Sequence, residues 1–101
     1  MAISITITQR NDFESDELRT AVTSALDHEL SQAKARREFY AQECREFEER
    51  YAMSSDVFLN EFEAGNLGDD EYLFIWFGYK SAFDLWDRRM RVLEGVTVEP
   101  E

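Results

Sequence analysis

Cysteine, histidine, proline and glycine are all scarce in this chain of 101 residues, with one Cys, one His, one Pro and four Gly. A single Cys cannot build an internal disulfide framework, so a reducing cytoplasm is the expected setting. One His and one Cys cannot assemble a standard zinc site, and no cofactor is expected. No apolar run approaches the roughly 18 residues of a membrane span, so no membrane partner is expected. The N-terminal MAISITITQR alternates and lacks the apolar stretch of about 7–15 residues that a secretory signal needs. Bases are also in short supply: 22 acids face 11 bases, a net charge of −11, and Lys is outnumbered by Arg nine to two. With no basic surface to neutralise phosphates, direct nucleic-acid binding is not expected.

What is present is acid and aromatic character. Abundant acids with few lysines fit the cytoplasm of a salt-loving (halophilic) host, and equally an ordinary acidic protein. Disorder is excluded by composition, because 44% of residues are apolar and 14% aromatic.

The pattern along the chain predicts a single domain over 1–101. Residues 3–8, ISITIT, alternate Ile with Ser or Thr and predict a strand; Val96-Thr97-Val98 predicts a second, shorter one over 96–98. A two-stranded ribbon is marginal alone, so these strands must pair with each other, with a second subunit or with a partner. Between them the chain reads as helix. Ser15 is a suitable N-cap, with Asp16 and Glu17 in the first turn. No Gly or Pro interrupts residues 15–52. Leu26, Ala33, Tyr40 and Phe47 recur every seven residues, with Leu30, Arg37, Cys44 and Tyr51 four residues after each, a coiled-coil-like seam broken only by Arg37. A short helix over 55–64 carries Val57, Phe58 and Phe62 and stops at Gly65. A last helix over 70–94 follows a cap at Asp69 or Asp70, with the seam Tyr72, Trp76, Tyr79, Phe83, Trp86, Met90 and Leu93.

Helices joined through so short a bridge should fold back antiparallel. That register places Tyr51 near Tyr72, Phe47 near Trp76, Tyr40 near Phe83 and Arg37 over Trp86. At 1.5 Å per residue the first helix is about 57 Å long and the last about 38 Å. Leu18, Val22 and Ala25 then overhang, and the terminal strands, a second subunit or another protein must cover them.

Catalytic signals are weak. The lone His28 has Asp27 and Glu29 beside it, but such neighbours point to other faces of a helix, no Ser-His-Asp or Cys-His arrangement is readable, and Cys44 on the seam reads as a small buried hydrophobe. The Asp69-Asp70-Glu71 cluster lacks the ligand offsets of a calcium loop and reads as helix capping. Two features point to association instead. The run YLFIWF is apolar all round, more than a two-helix hairpin can bury, leaving Leu73, Phe74, Ile75 and Phe77 off the seam. The charge is concentrated too: residues 41–75 hold ten acids and two bases, a net of −8. An acidic surface beside exposed aromatics suits docking on a basic cleft.

The stretch FEERYAMSSDVFLNEFEAGNLGDDEYLFIWF resembles a pattern of small acidic archaeal and cyanobacterial proteins, F-E-x-K-Y-x-M-S-S-x-x-F-x-x-x-F-x-x-G-x-L-G-D-D followed by Trp. Phe47, Tyr51, Met53, Ser54, Ser55, Phe58, Phe62, Gly65, Leu67, Gly68, Asp69, Asp70 and Trp76 match it. Arg50 stands where Lys is common, and Ala52 where Gly is common. Such proteins are encoded beside small toxins and taken as antitoxins. The resemblance covers about thirty residues and implies a non-enzymatic protein-interaction module that neutralises a basic partner, a cognate toxin encoded nearby. Glu43, Glu46, Glu48, Glu49, Asp56, Glu61 and Glu63 would compete for the toxin's cleft, and Leu73, Phe74, Ile75 and Phe77 would anchor it. The alternative is a self-assembling, dimeric helical module with no toxin. The expected fold is mainly α, a long antiparallel helical hairpin, coiled-coil-like, with a short bridging helix and short terminal β-strands, acting as a homo-oligomer or in a hetero-complex.

Overall fold

The computed structural model describes residues 3–100, and Met1, Ala2 and Glu101, the ends of the predicted domain, lie outside the described residues. The elements run β1 (Ile3–Ile7), α1 (Ser15–Tyr51), α2 (Ser55–Glu63), α3 (Glu71–Glu94) and β2 (Val96–Pro100). The fold is mainly helical. Helices α1 and α3 pair antiparallel, α2 bridges their joined ends, and the molecule is a rod of 61 × 22 × 18 Å.

The helix ends follow local chemistry, with two departures. Glu14, not Ser15, takes the N-cap position of α1, and its side chain makes no cap bond. Ser15 instead donates its hydroxyl to Gln9 Oε1 at 3.2 Å. At the other end Ala52 adopts the left-handed conformation, φ 52° and ψ 46°, and its N–H and that of Met53 both donate to the Glu48 carbonyl. Side chains with a Cβ are strained there, whereas Gly is not. Ala52→Gly should therefore stabilise the fold by about 1 kcal/mol, the relief of strain exceeding the entropy that Gly loses. A higher urea midpoint is the expected reading; a lower one would remove the strain argument.

Helix α2 starts at Ser54, whose hydroxyl accepts from the Val57 N–H at 3.2 Å. It ends in a Schellman turn: Gly65, at φ 78°, donates to the Phe62 carbonyl and Asn66 to that of Glu61. Asp70 caps α3, its Oδ1 accepting from the Tyr72 N–H at 2.8 Å. The acidic loop is thus a capping device at this residue.

The core lies where all three helices meet. Cys44, Phe58, Leu73 and Trp76 are buried there, ringed by Phe47, Tyr51, Met53, Phe62, Leu67, Phe77 and Tyr79. Phe58 and Trp76 are the largest fully buried side chains, stacked with ring centroids 3.8 Å apart. Phe47 and Tyr51 each stack on the indole at 5.6 Å, and Trp76 Nε1 donates to the buried Ser55 Oγ at 2.9 Å.

Phe47 meets Trp76 as the seam predicts, while Tyr40 lies 6.2 Å from Tyr79. Three expectations need correction. Leu73 is core, not an exposed anchor, because α2 packs beside α3 and turns the buried face toward Leu73 and Lys80. Tyr72 in turn is exposed, with the Arg50 guanidinium 5.6 Å from its ring. Arg37 stands over Phe83 at 5.0 Å and donates from Nε to Asp87 Oδ1 at 2.7 Å. Trp86 is flanked instead by Arg36 and Arg89, at 4.8 and 4.9 Å. A carboxylate within reach outcompetes an indole face, because a charge-assisted hydrogen bond is the stronger contact.

The terminal strands pair with each other, in parallel, from Ile3 opposite Val96 to Ile7 opposite Pro100. Ser4 and Thr97 join hydroxyls across the ribbon at 3.1 Å. β2 continues beyond α3 and packs on α1, so the overhang is partly covered from within the chain, with Leu18 and Val22 half-buried and Ala25 exposed.

Candidate functional site

The tip of the hairpin gathers the end of α1, all of α2, the loop to Asp70 and the first turns of α3. Tyr51, Met53, Phe58, Leu67, Asp70, Leu73 and Trp76 line a pocket of about 260 Å³ there. An apolar cavity of about 150 Å³ already holds a benzene ring, so this one has room for an apolar side chain. Its walls are apolar, part aromatic and part aliphatic, and Asp70 stands among them.

The predicted site residues divide by burial. Glu46, Glu49, Asp56 and Glu63 are exposed, as are Phe74 and Ile75, at 54% and 40%. Glu43 is half-buried. Glu48 is half-buried and holds the fold together, its Oε2 accepting from the Ser55 N–H at 2.8 Å, so α1 itself caps α2. Glu61, also half-buried, accepts from Asn66 Nδ2 at 2.9 Å across the turn. Phe77 is half-buried and stacks on Phe62 at 5.1 Å, and Phe74 meets the same ring edge-on at 5.2 Å. Leu73 belongs to the core. Of the predicted residues, those left free on the surface of the tip are therefore Phe74 and Ile75 together with Glu46, Glu49 and Glu63.

A second hollow, of about 230 Å³, opens between the three helices and is lined by Cys44, Glu48, Ser55, Asp56, Lys80 and Phe83, among others. Lys80 is 6% exposed and was not singled out by the sequence pattern. Its ammonium lies 2.8 Å from both Asp56 and Asp84, tying α2 to α3. Burial alone would lower its pKa, but hydrogen bonds to the two carboxylates outweigh burial and raise it above the ordinary lysine value. Burial pushes the Cys44 thiol up, despite a hydrogen bond with Ser55. Neither group is a ready nucleophile at neutral pH.

Asp87, buried like Lys80, was also missed. It pairs with Arg37 on α1 and with Arg91 one turn on. The Lys80/Asp84 and Asp87/Arg91 spacings were legible as helical charge pairs, but such pairs ordinarily lie on solvated faces and say nothing of burial.

Among the described residues, Glu43, Glu46, Glu49, Glu63, Asp69 and Glu71 carry no ion pair. Their repulsion is screened within about 10 Å at 0.1 M salt. The melting temperature should climb from low to molar sodium chloride; a flat or falling curve would mean that these charges do not oppose folding.

No helix among the described residues is long and apolar enough to cross a membrane. No family model, curated protein or solved structure matches the chain.

Proposed function

We propose that this hairpin is a non-enzymatic, antitoxin-like interaction module of a reducing cytoplasm, whose acidic tip masks a basic partner protein encoded nearby. The observation that carries this reading is the meeting, at one end of the rod, of an apolar pocket with exposed Phe74 and Ile75 and unpaired carboxylates. Buried apolar anchors supply affinity at an interface, while surrounding charge sets the rate of encounter and the choice of partner. A basic protein presenting an apolar side chain beside Arg or Lys fits both features. The resemblance in residues 47–76 agrees with it, and Ala52, where Gly is common in that pattern, adopts a left-handed conformation of the kind Gly favours.

The test is co-expression with the neighbouring gene product, followed by binding kinetics on the purified pair. Phe74→Ala should weaken the complex at least tenfold, equal to about 1.4 kcal/mol, mostly by faster dissociation. Glu49→Gln with Glu63→Gln should mainly slow association and flatten its salt dependence. Glu48 is unsuited to this test, since its replacement uncaps α2. If the neighbouring product does not bind, or if Phe74→Ala unfolds the free chain, the reading fails.

A further inference from the structure

The back of α3 carries a stripe of exposed residues, Gly78, Ser81, Leu85, Arg88 and Val92, the last three of which border a shallow hollow together with Glu29 of α1. At 3.6 residues per turn these five fall within an arc of roughly 80°, opposite Phe83 and Met90 on the seam. Leu85 and Val92 are over half exposed, at 52% and 57%. Gly78 is the weakest helix former on this face, yet it is in the interior of α3 and a Cβ built on it would meet nothing within 4 Å. The hairpin's own interior does not require the missing side chain.

The arrangement is self-complementary about Leu85. Gly78 and Val92 each lie seven residues away, about 10.5 Å to either side. Turning the helix end for end about Leu85 therefore lays Val92 on the second copy's Gly78, a branched side chain over a bare stretch of backbone. The same turn brings Arg88 to within about 3 Å, measured along the axis, of the second copy's Asp84. Asp84 is half-exposed and bound on one oxygen by Lys80. Large meets small and positive meets negative at two symmetric places, which is the requirement of an isologous interface.

We propose that α3 packs antiparallel on α3 of a second copy, with Leu85 at the two-fold axis, Val92 in the notch at Gly78 and Arg88 beside Asp84. The pocket at the tip, bordered on α3 by Leu73 and Trp76, lies on the other side of that helix and stays open, whereas Phe74 falls within the stripe's arc about 16 Å from Leu85, just past the end of the second copy's α3.

Sedimentation and oxidative cross-linking of the full chain test it. The wild type is expected to sediment as a dimer, and Leu85→Arg as a folded monomer of unchanged helix content. Gly78→Leu is expected to retain or raise helicity while weakening the dimer at least tenfold, opposite directions that a mere folding defect does not produce. Leu85→Cys is expected to oxidise to a covalent dimer, and Val57→Cys, equally exposed on α2, to remain monomeric; buried Cys44 does not compete. Should Leu85→Arg unfold, the Gly78→Leu and cross-linking results decide. A wild type that is monomeric at several hundred micromolar overturns the proposal. So does a dimer that Gly78→Leu leaves intact and Leu85→Cys does not lock, which would place another surface at the interface.

Discussion

Phe58→Ala is expected to cost about 3–5 kcal/mol of folding stability, the range for truncating a buried aromatic. Phe58 is fully buried and stacked at 3.8 Å on Trp76, on which Phe47 and Tyr51 from α1 also stack. It is the residue through which α2 enters the core, so its loss opens a cavity and loosens the bridge between the two long helices. A domain of this length has about 5–15 kcal/mol in total, and the variant should be marginal or partly unfolded at ambient temperature. The urea midpoint followed by helical circular dichroism measures it. Phe74→Ala is the control, since Phe74 is more than half exposed and touches only Phe62 among the rings. Equal midpoints for the two variants would contradict the assignment of Phe58 to the core.

The second large effect is expected at Asp87. The hydrogen bond from Arg37 holds its carboxyl below the usual aspartate range, against the opposing pull of burial, and Arg91 adds to the shift. A depressed folded-state value means that ionised Asp87 stabilises the fold fully above its unfolded pKa, about 3.9. That contribution drains away as pH falls from there through the lowered folded value. Asp87→Ala should remove it at neutral pH and leave Arg37 without its carboxylate on a largely apolar seam. Breaking a fully buried pair costs about 3–5 kcal/mol. The Arg37 side chain is 35% exposed and can turn partly to water, so about 2 kcal/mol is the expected loss. The variant should also lose part of the acid dependence of stability below about pH 4. If its stability follows pH as the wild type's does down to the acid transition, the ion pair is not what sets that dependence. Arg37→Met should be milder, because Asp87 keeps Arg91.

Much of this architecture is legible in the chain by itself. Local rules act within a few residues: an interval without Gly or Pro permits α1, Ser54 and Asp70 offer side-chain oxygens to free N–H groups, and Gly65 tolerates the left-handed turn. The seven-residue spacing specifies which faces of α1 and α3 meet, and alternation marks the strands. The concentration of acids in residues 41–75 is a matter of counting.

Tertiary structure decided the rest, and for one recurring reason. A one-dimensional pattern shows which residues share a face, but not how many neighbours that face has. Helix α2 presses on the flank of α3 and draws Leu73 inward, while Phe74 and Ile75, two and one positions before Trp76, stay in water. The same flank buries Lys80 between two carboxylates, and the level at which α1 meets α3 hands Arg37 to Asp87 rather than to Trp86. The terminal strands had three possible partners by sequence and chose each other, because the length difference between α1 and α3 leaves β2 lying along α1 with one side open. Left-handed Ala52 shows the same hierarchy from the opposite side: its local preference opposes the turn, and the stack of Phe47, Tyr51, Phe58 and Trp76 on either side of it holds the chain there regardless.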